Sequence, residues 1–391
     1  MSSVAPIDAD AAVRYVDGKR YLWLAALSGP LIPLATVVTY LKFAAHPAIL
    51  LVPLLYIYVW IPIADGIFGE DSHNPPEAAV PQLAADNYYR AILYVHIAML
   101  YACFALCIWF AATQPLPWWA FLGFTLGVGL TSADGIIVGH ELGHKRSLAD
   151  RLMGLAGLSL VGYGHFRIEH NRGHHVHVAT PEDSASARMG ESVYRFATRE
   201  IPGAIKRAWR LERERLERLG KSHWSLRNEV LMSWSFTAAI AAAVTTVFGP
   251  LALLFVLIHH AFAWYGLTQA NYVEHYGLLR QKLPNGRYEP PEPRHSWNTN
   301  HVYSNLISFH LQRHSDHHAN PLRPYQALRD IPDLPRLPSG YPGCFGLAAV
   351  PSMWFKVMDP KLIEWAGGDL SKLNIEPTKR REIDERYGTK G

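Results

Sequence analysis

Only three cysteines occur in the 391 residues, Cys103, Cys107 and Cys344, and none stands in a CxxC pair. That scarcity excludes an iron–sulfur cluster or a four-cysteine iron site built by this chain alone. Charge is sparse as well, at 18% Asp, Glu, Lys and Arg with a formal net charge of +4. Such a small excess fits contact with a membrane surface or an acidic protein better than nucleic acid. No internal repeat is present. No cleavage site of small residues follows the first apolar run, which exceeds a signal-peptide core, so that run is expected to be retained.

What is abundant is apolar length. Residues 21–41, 48–64, 91–112, 118–138, 231–248 and 251–270 form six apolar runs, each close to the roughly 20 residues that span a hydrocarbon core. A mean hydropathy near zero therefore averages membrane spans with very polar stretches. The spacing predicts an all-α integral membrane bundle of six transmembrane helices, capped by a histidine-rich region part helical and part irregular. A seventh run, 152–163, is too short to span and reads as a re-entrant or interfacial helix. Basic residues set the orientation. Of 37 Lys and Arg, only Lys42 lies in the proposed outer connections 42–47, 113–117 and 249–250. Both termini and the cap are thus expected on the cytoplasmic side.

The chain divides into a polar tail (1–20), four spans (21–138), a polar insertion (139–230) with the first two histidine boxes, two spans (231–272), a cytoplasmic region (273–378) with His275 and the third box that is Pro-rich and largely irregular from Leu279 onward, and a charged tail or linker start (379–391). The loop DGIFGEDSHNPPEAAVPQ is expected to lie across the cytoplasmic mouth. Within the insertion, IPGAIKRAWRLERERLERLG reads as an amphipathic helix started at Pro202 and solvated at the lipid surface.

Nine of the 20 histidines fall in tight clusters beside these spans. His140 and His144 stand in HELGH, and His170, His174 and His175 in EHNRGHH. His275 stands in NYVEHYG, and His314, His317 and His318 in LQRHSDHH. The i, i+4 pairs share a helix face, and four helical ends can converge below a bundle, as bundle metal sites require. Neutral imidazole suits iron, copper and zinc. Nine ligands are too many for one ion and enough for two. Glu141, Glu169, Glu274 and Asp316 accompany the clusters, and metal-bound histidines commonly pass their other N–H to a carboxylate. Asp134 and Asp65 lie at membrane level, where ionisable groups are functional candidates.

The boxes HELGH, HNRGHH and HSDHH, together with NYVEHYGL, GEDSHNPPE, ATPEDSASAR and NLISFHLQRHSDHH, resemble those of the integral-membrane alkane monooxygenases. These belong to the wider fatty-acid desaturase and hydroxylase superfamily, and NYVEHYGL resembles the signature that separates alkane and xylene monooxygenases from acyl desaturases. The resemblance runs from about residue 15 to 365. It implies a non-haem diiron centre of two iron ions held by the nine histidines, and a membrane-buried n-alkane of medium or long chain. Dioxygen would hydroxylate its terminal methyl to a primary alcohol in a bacterial inner membrane. It also implies electrons from rubredoxin, separate or fused beyond this chain, reduced in turn by an NADH-dependent reductase. The family's size-gauging residue in the second span points to Trp60 as a bulky stop in the alkane channel. Two rival readings stay open. One is a related oxygenase or desaturase acting on xylene methyls or acyl chains. The other is an intramembrane zinc protease in which HELGH supplies His140, His144 and the general base Glu141; it leaves seven clustered histidines without a task.

Overall fold

A computed structural model describes residues 15–388. Among them no β-strand forms, and pairing is limited to isolated bridges. Six helices are long and apolar enough to cross a membrane: α1 (Leu22–Phe43), α2 (Pro47–Phe68), α3 (Asn87–Thr113), α4 (Trp118–Gly143), then, after the insertion, α8 (Glu229–Phe248) and α9 (Pro250–His275). The all-α expectation and the six spans hold. Two spans run further than the apolar runs suggest. α4 continues through Gly143 and α9 through His275, so both reach into a histidine cluster.

The seventh apolar run forms α5 (Leu148–Leu160), capped by Ser147, whose side chain accepts the Asp150 amide. It packs backbone to backbone on α4. A Cβ at Gly135 would stand 2.9 Å from the Gly157 carbonyl oxygen, and one at Gly154 would stand 3.3 Å from that of Gly139. Small residues permit such an approach between membrane helices. The HELGH turn is thereby clamped from one side.

α6 (residues 166–177) carries the second histidine box, and α7 (Val193–Arg218) follows. Two expectations are corrected at α7. The helix starts after Ser192, whose side chain caps it, and Pro202 lies inside it rather than at its first turn. Nor is it merely a solvated helix, because Glu200, Arg207 and Glu212 are buried. Arg207 meets Glu169 and Asp183 on either side of the second histidine box, partners that a lipid surface would not supply.

The region after α9 is more regular than its prolines suggest. It contains α10 (Val302–Ile307), α11 (His314–Ala319), α12 (Tyr341–Ala348) and α13 (Pro351–Trp365). Pro342 and Pro351 stand in the first turns of α12 and α13, where the missing N–H costs nothing. The charged tail is also corrected in part. Residues Arg380–Tyr387 form α14, with Ile383 buried, while residues 1–14 and 389–391 lie outside the described residues. The loop after α2 is pinned to the cap, since Arg313 donates to the carbonyl oxygens of Asp71 and His73.

Candidate metal centre

All nine clustered histidines come together, and they do so as two groups. His140, His144, His170, His175 and His317 offer ring nitrogens within 4.8 Å of one another, and so do His174, His275, His314 and His318. α4 delivers His140 in its last turn and His144 just beyond it, and α9 delivers His275 as its last residue.

The second and third boxes each serve both groups. In α6 the segment His170–His174 is a π turn, and the His175 amide donates to the His170 carbonyl five residues back. Widening the helix to i→i+5 closure brings His175 beside His170, with 2.9 Å between their Nε2 atoms. His174 joins the other group. The α-helical face expected for His170 and His174 is therefore replaced by a π-helical one for His170 and His175. In α11 the i, i+4 pair His314 and His318 joins one group, at 2.9 Å between Nε2 atoms, and His317 joins the other, 2.8 Å from His140 Nε2. The single face predicted for these three is likewise split.

Nitrogens crowded in this way suit a cation better than one another. His174 Nδ1 lies 2.9 Å from Asp183 Oδ2, and His275 Nδ1 lies 3.2 Å from the His295 carbonyl. Acceptors on that side keep the proton on Nδ1, so each Nε2 presents a lone pair to the group centre. His144 Nε2 is buried without a hydrogen-bond partner. Burial holds His170, His314, His317 and His318 well below the ordinary imidazole range, His144 at about 3 and His175 at about 2. Converging and nitrogen-only, the donor sets fit two transition-metal ions.

The carboxylates divide sharply. Glu274 Oε2 lies 3.4 Å from His314 Nε2, on the side that faces the four-histidine group, and not at His314 Nδ1, which has no hydrogen-bond partner, so the expected support of the outer N–H is not what it provides. Glu169 takes Arg207 at 3.1 Å instead of a histidine, and burial raises it to about 8. Glu141 turns to Lys145 at 2.7 Å and to the Tyr325 amide. Asp316 holds Arg329 at 2.8 Å and Asn320 at 2.9 Å, a loop-fastening role. The expectation that Glu169, Glu141 and Asp316 support ligand imidazoles is not what their contacts provide, because each faces a cation or amide closer at hand. Asp183, which sequence reasoning missed, is the carboxylate that meets His174. Burial opposes its ionisation, but His174 and Arg207 hold it below the usual carboxylate range. Its signal lies in ATPEDSASAR, an acidic residue a few positions past the second box.

Asp134 and Asp65 lie away from the clustered histidines. Asp134 Oδ2 is 3.6 Å from His96 Nε2, and Asp65 accepts the Ser304 amide at 2.8 Å, tying α2 to α10. Asp134 also lines an apolar cavity of about 90 Å³ bounded by Ile57 and Ile61 of α2, Ile137 of α4, Leu267 of α9 and Leu311. Ile137 and Leu311 also wall a separate, smaller void that touches His140 and His317 of the five-histidine group. Trp60 does not line this cavity. It is 53% exposed and borders an outward-facing apolar groove with Tyr56, Val59 and Ile63. Ile57 and Ile61 turn inward from the same helix, which leaves Trp60 the lipid side.

Residues 116–346 match the fatty acid desaturase family model. The chain is 51% identical to alkane 1-monooxygenase 1 of Alcanivorax borkumensis, covering 96% of this chain and 93% of the relative. It is 49% identical to alkane 1-monooxygenase of Ectopseudomonas oleovorans, covering 97% and 94%. A xylene/toluene monooxygenase hydroxylase component of Pseudomonas putida is 30% identical over 60% of this chain and 63% of the relative. The fold and the histidine groups define a membrane protein of the desaturase class. Within that class, the chain belongs to the alkane 1-monooxygenase family.

Proposed function

We propose that this protein is a rubredoxin-dependent diiron monooxygenase that hydroxylates the terminal methyl of medium- or long-chain n-alkanes to primary alcohols. The observation that carries the reading is the presence of two nitrogen-only histidine groups beside an apolar cavity that shares Ile137 and Leu311 with a small void touching His140 and His317. His140, His144, His170, His175 and His317 would hold one iron, and His174, His275, His314 and His318 the other. Iron bound there supplies the redox chemistry by which dioxygen, two electrons and two protons convert alkane to alcohol and water.

The remaining work falls to the chain's own residues. Asp183 holds the His174 proton on Nδ1, and the His295 carbonyl does the same for His275. An alkane offers no polar handle, so the cavity selects by shape. Ile57, Ile61, Leu267 and Leu311 give it a dry wall, and exclusion of water limits side reactions. The groove beside Trp60 is where an alkane would leave the bilayer, with Trp60 limiting chain length from the lipid side. The basic asymmetry of the connections supports histidine groups at the cytoplasmic face of the inner membrane, within reach of a soluble electron donor.

Membranes containing the protein, incubated with iron, rubredoxin, its reductase, NADH and a ladder of n-alkanes, test the reading. Primary alcohols and two irons per chain are expected. Alkenes or benzyl alcohols as the preferred products would favour the related desaturase or xylene oxygenase. A single zinc with peptide cleavage would favour the protease.

A further inference from the structure

Glu200 is a buried carboxylate whose hydrogen-bond donors are all neutral: the Thr268 hydroxyl at 2.8 Å, the Asn271 amide at 3.3 Å and the Tyr163 hydroxyl at 3.5 Å. The neighbouring guanidinium, Arg199, is taken by Glu191 at 2.8 Å. A buried carboxylate without a cation of its own is costly. Burial raises it to about 7, so a proton-accepting form is present at neutral pH. Its neighbour Tyr163 is 1% exposed and stands in a run of aromatic rings that ends on the metal centre. The Phe166 ring stacks on His170 with centroids 4.7 Å apart, and Tyr163 follows at 6.0 Å from Phe166. Trp264 lies 5.2 Å beyond Tyr163. Electron transfer falls off steeply with distance, and these separations are short.

We propose that Tyr163 is a redox-active residue that donates one electron to the centre through Phe166 and His170 when no alkane is present, and passes its proton to Glu200. The inference rests on the oxygenase reading, which supplies the oxidant, a dioxygen-oxidised diiron centre. The Tyr163 Oη–H bond breaks. The electron leaves the phenol ring and reduces the centre by one electron, while the proton converts the Glu200 carboxylate to the acid. The neutral tyrosyl radical is cleared when the one-electron donor of the reaction returns an electron and Glu200 returns the proton. Tyr163 thereby spends an oxidising equivalent that would otherwise attack the histidines.

The test is electron paramagnetic resonance on the reduced holoenzyme, mixed with dioxygen without alkane and freeze-quenched. A radical signal that narrows on ring-deuterated tyrosine, is lost in Tyr163→Phe and is diminished in Glu200→Gln is expected. An undiminished signal in Tyr163→Phe overturns the proposal, as does the lack of any deuterium-sensitive radical while dioxygen is consumed. Neither result touches the oxygenase reading, which alcohol formation from added alkane reports separately. Absence of both dioxygen uptake and alcohol would remove the two together.

Discussion

Replacing Asp183 by Asn should weaken metal at the four-histidine group and spare the five-histidine group. Asp183 Oδ2 accepts from His174 Nδ1 at 2.9 Å and from the Ser186 hydroxyl at 2.6 Å, and Oδ1 accepts from Arg207 at 2.9 Å. An asparagine is close in shape but loses the charge that favours Nδ1–H on His174. Where its NH2 faces His174, the proton moves to Nε2 and blocks the lone pair aimed at the metal. Loss of such a partner typically costs roughly 10–100-fold in metal affinity, or about 1.4–2.8 kcal/mol. Arg207 keeps Glu169 at 3.1 Å, so the substitution does not strand a buried guanidinium. Chelator competition with iron counted per chain is the assay, using His318→Ala and His144→Ala to mark each group. Asp183→Asn should follow His318→Ala, with one iron lost at lower chelator concentration. Unchanged affinity, or selective loss from the group marked by His144→Ala, would refute the division of ligands and the role of Asp183.

Three further outcomes follow from other parts of the molecule. Trp60→Ser opens the lipid-facing groove and should shift the product profile toward longer alkanes; an unchanged chain-length profile in gas chromatography would reduce Trp60 to a lipid contact. Gly135→Val forces a side chain onto the Gly157 carbonyl, 2.9 Å from the first added carbon, where backbone cannot yield easily. Overpacking of this kind costs about 1–3 kcal/mol, so a lowered melting temperature with partial loss of bound iron is expected, and wild-type stability would refute the tight α4–α5 contact. Asp359, which accepts the Tyr276 hydroxyl at 2.8 Å, is raised by burial to about 6. A folded-state value above the unfolded one means that its contribution to stability is full at low pH. That contribution declines as pH rises through about 6 and is level beyond. Asp359→Asn should thus melt higher than wild type at pH 7.5 and show little difference at pH 4, and the reverse ordering would refute it.

Much of the molecule is legible without coordinates because it depends on local properties. Six apolar runs of spanning length dictate six helices, since backbone polar groups must be satisfied within each segment in lipid. Histidines at i, i+4 beside the span ends announce metal binding because that spacing is a property of any helix. HELGH, HNRGHH, NYVEHYG and HSDHH name the family, and all nine histidines in them converge. The helix over 193–218 is legible as amphipathic, yet its burial is not. Charges such as Arg207 look solvated until Glu169 and Asp183 are seen across from them.

Tertiary structure decided how the histidines are shared. A five-and-four division depends on the π turn at His170–His174 and on α11 contributing to both groups, and neither follows from α-helical periodicity. It also decided which carboxylates meet a histidine. Glu141 and Asp316 sit in the boxes but turn to Lys145 and Arg329, whereas Asp183 reaches His174 because the chain after α6 folds back. Trp60 and Ile61 are neighbours in sequence on different sides of α2, one toward lipid and the other toward the cavity. Composition and spacing by themselves determine a membrane protein with histidines enough for a metal centre. The packing of helices that are distant in sequence determines which histidines share a group and where apolar space lies beside them.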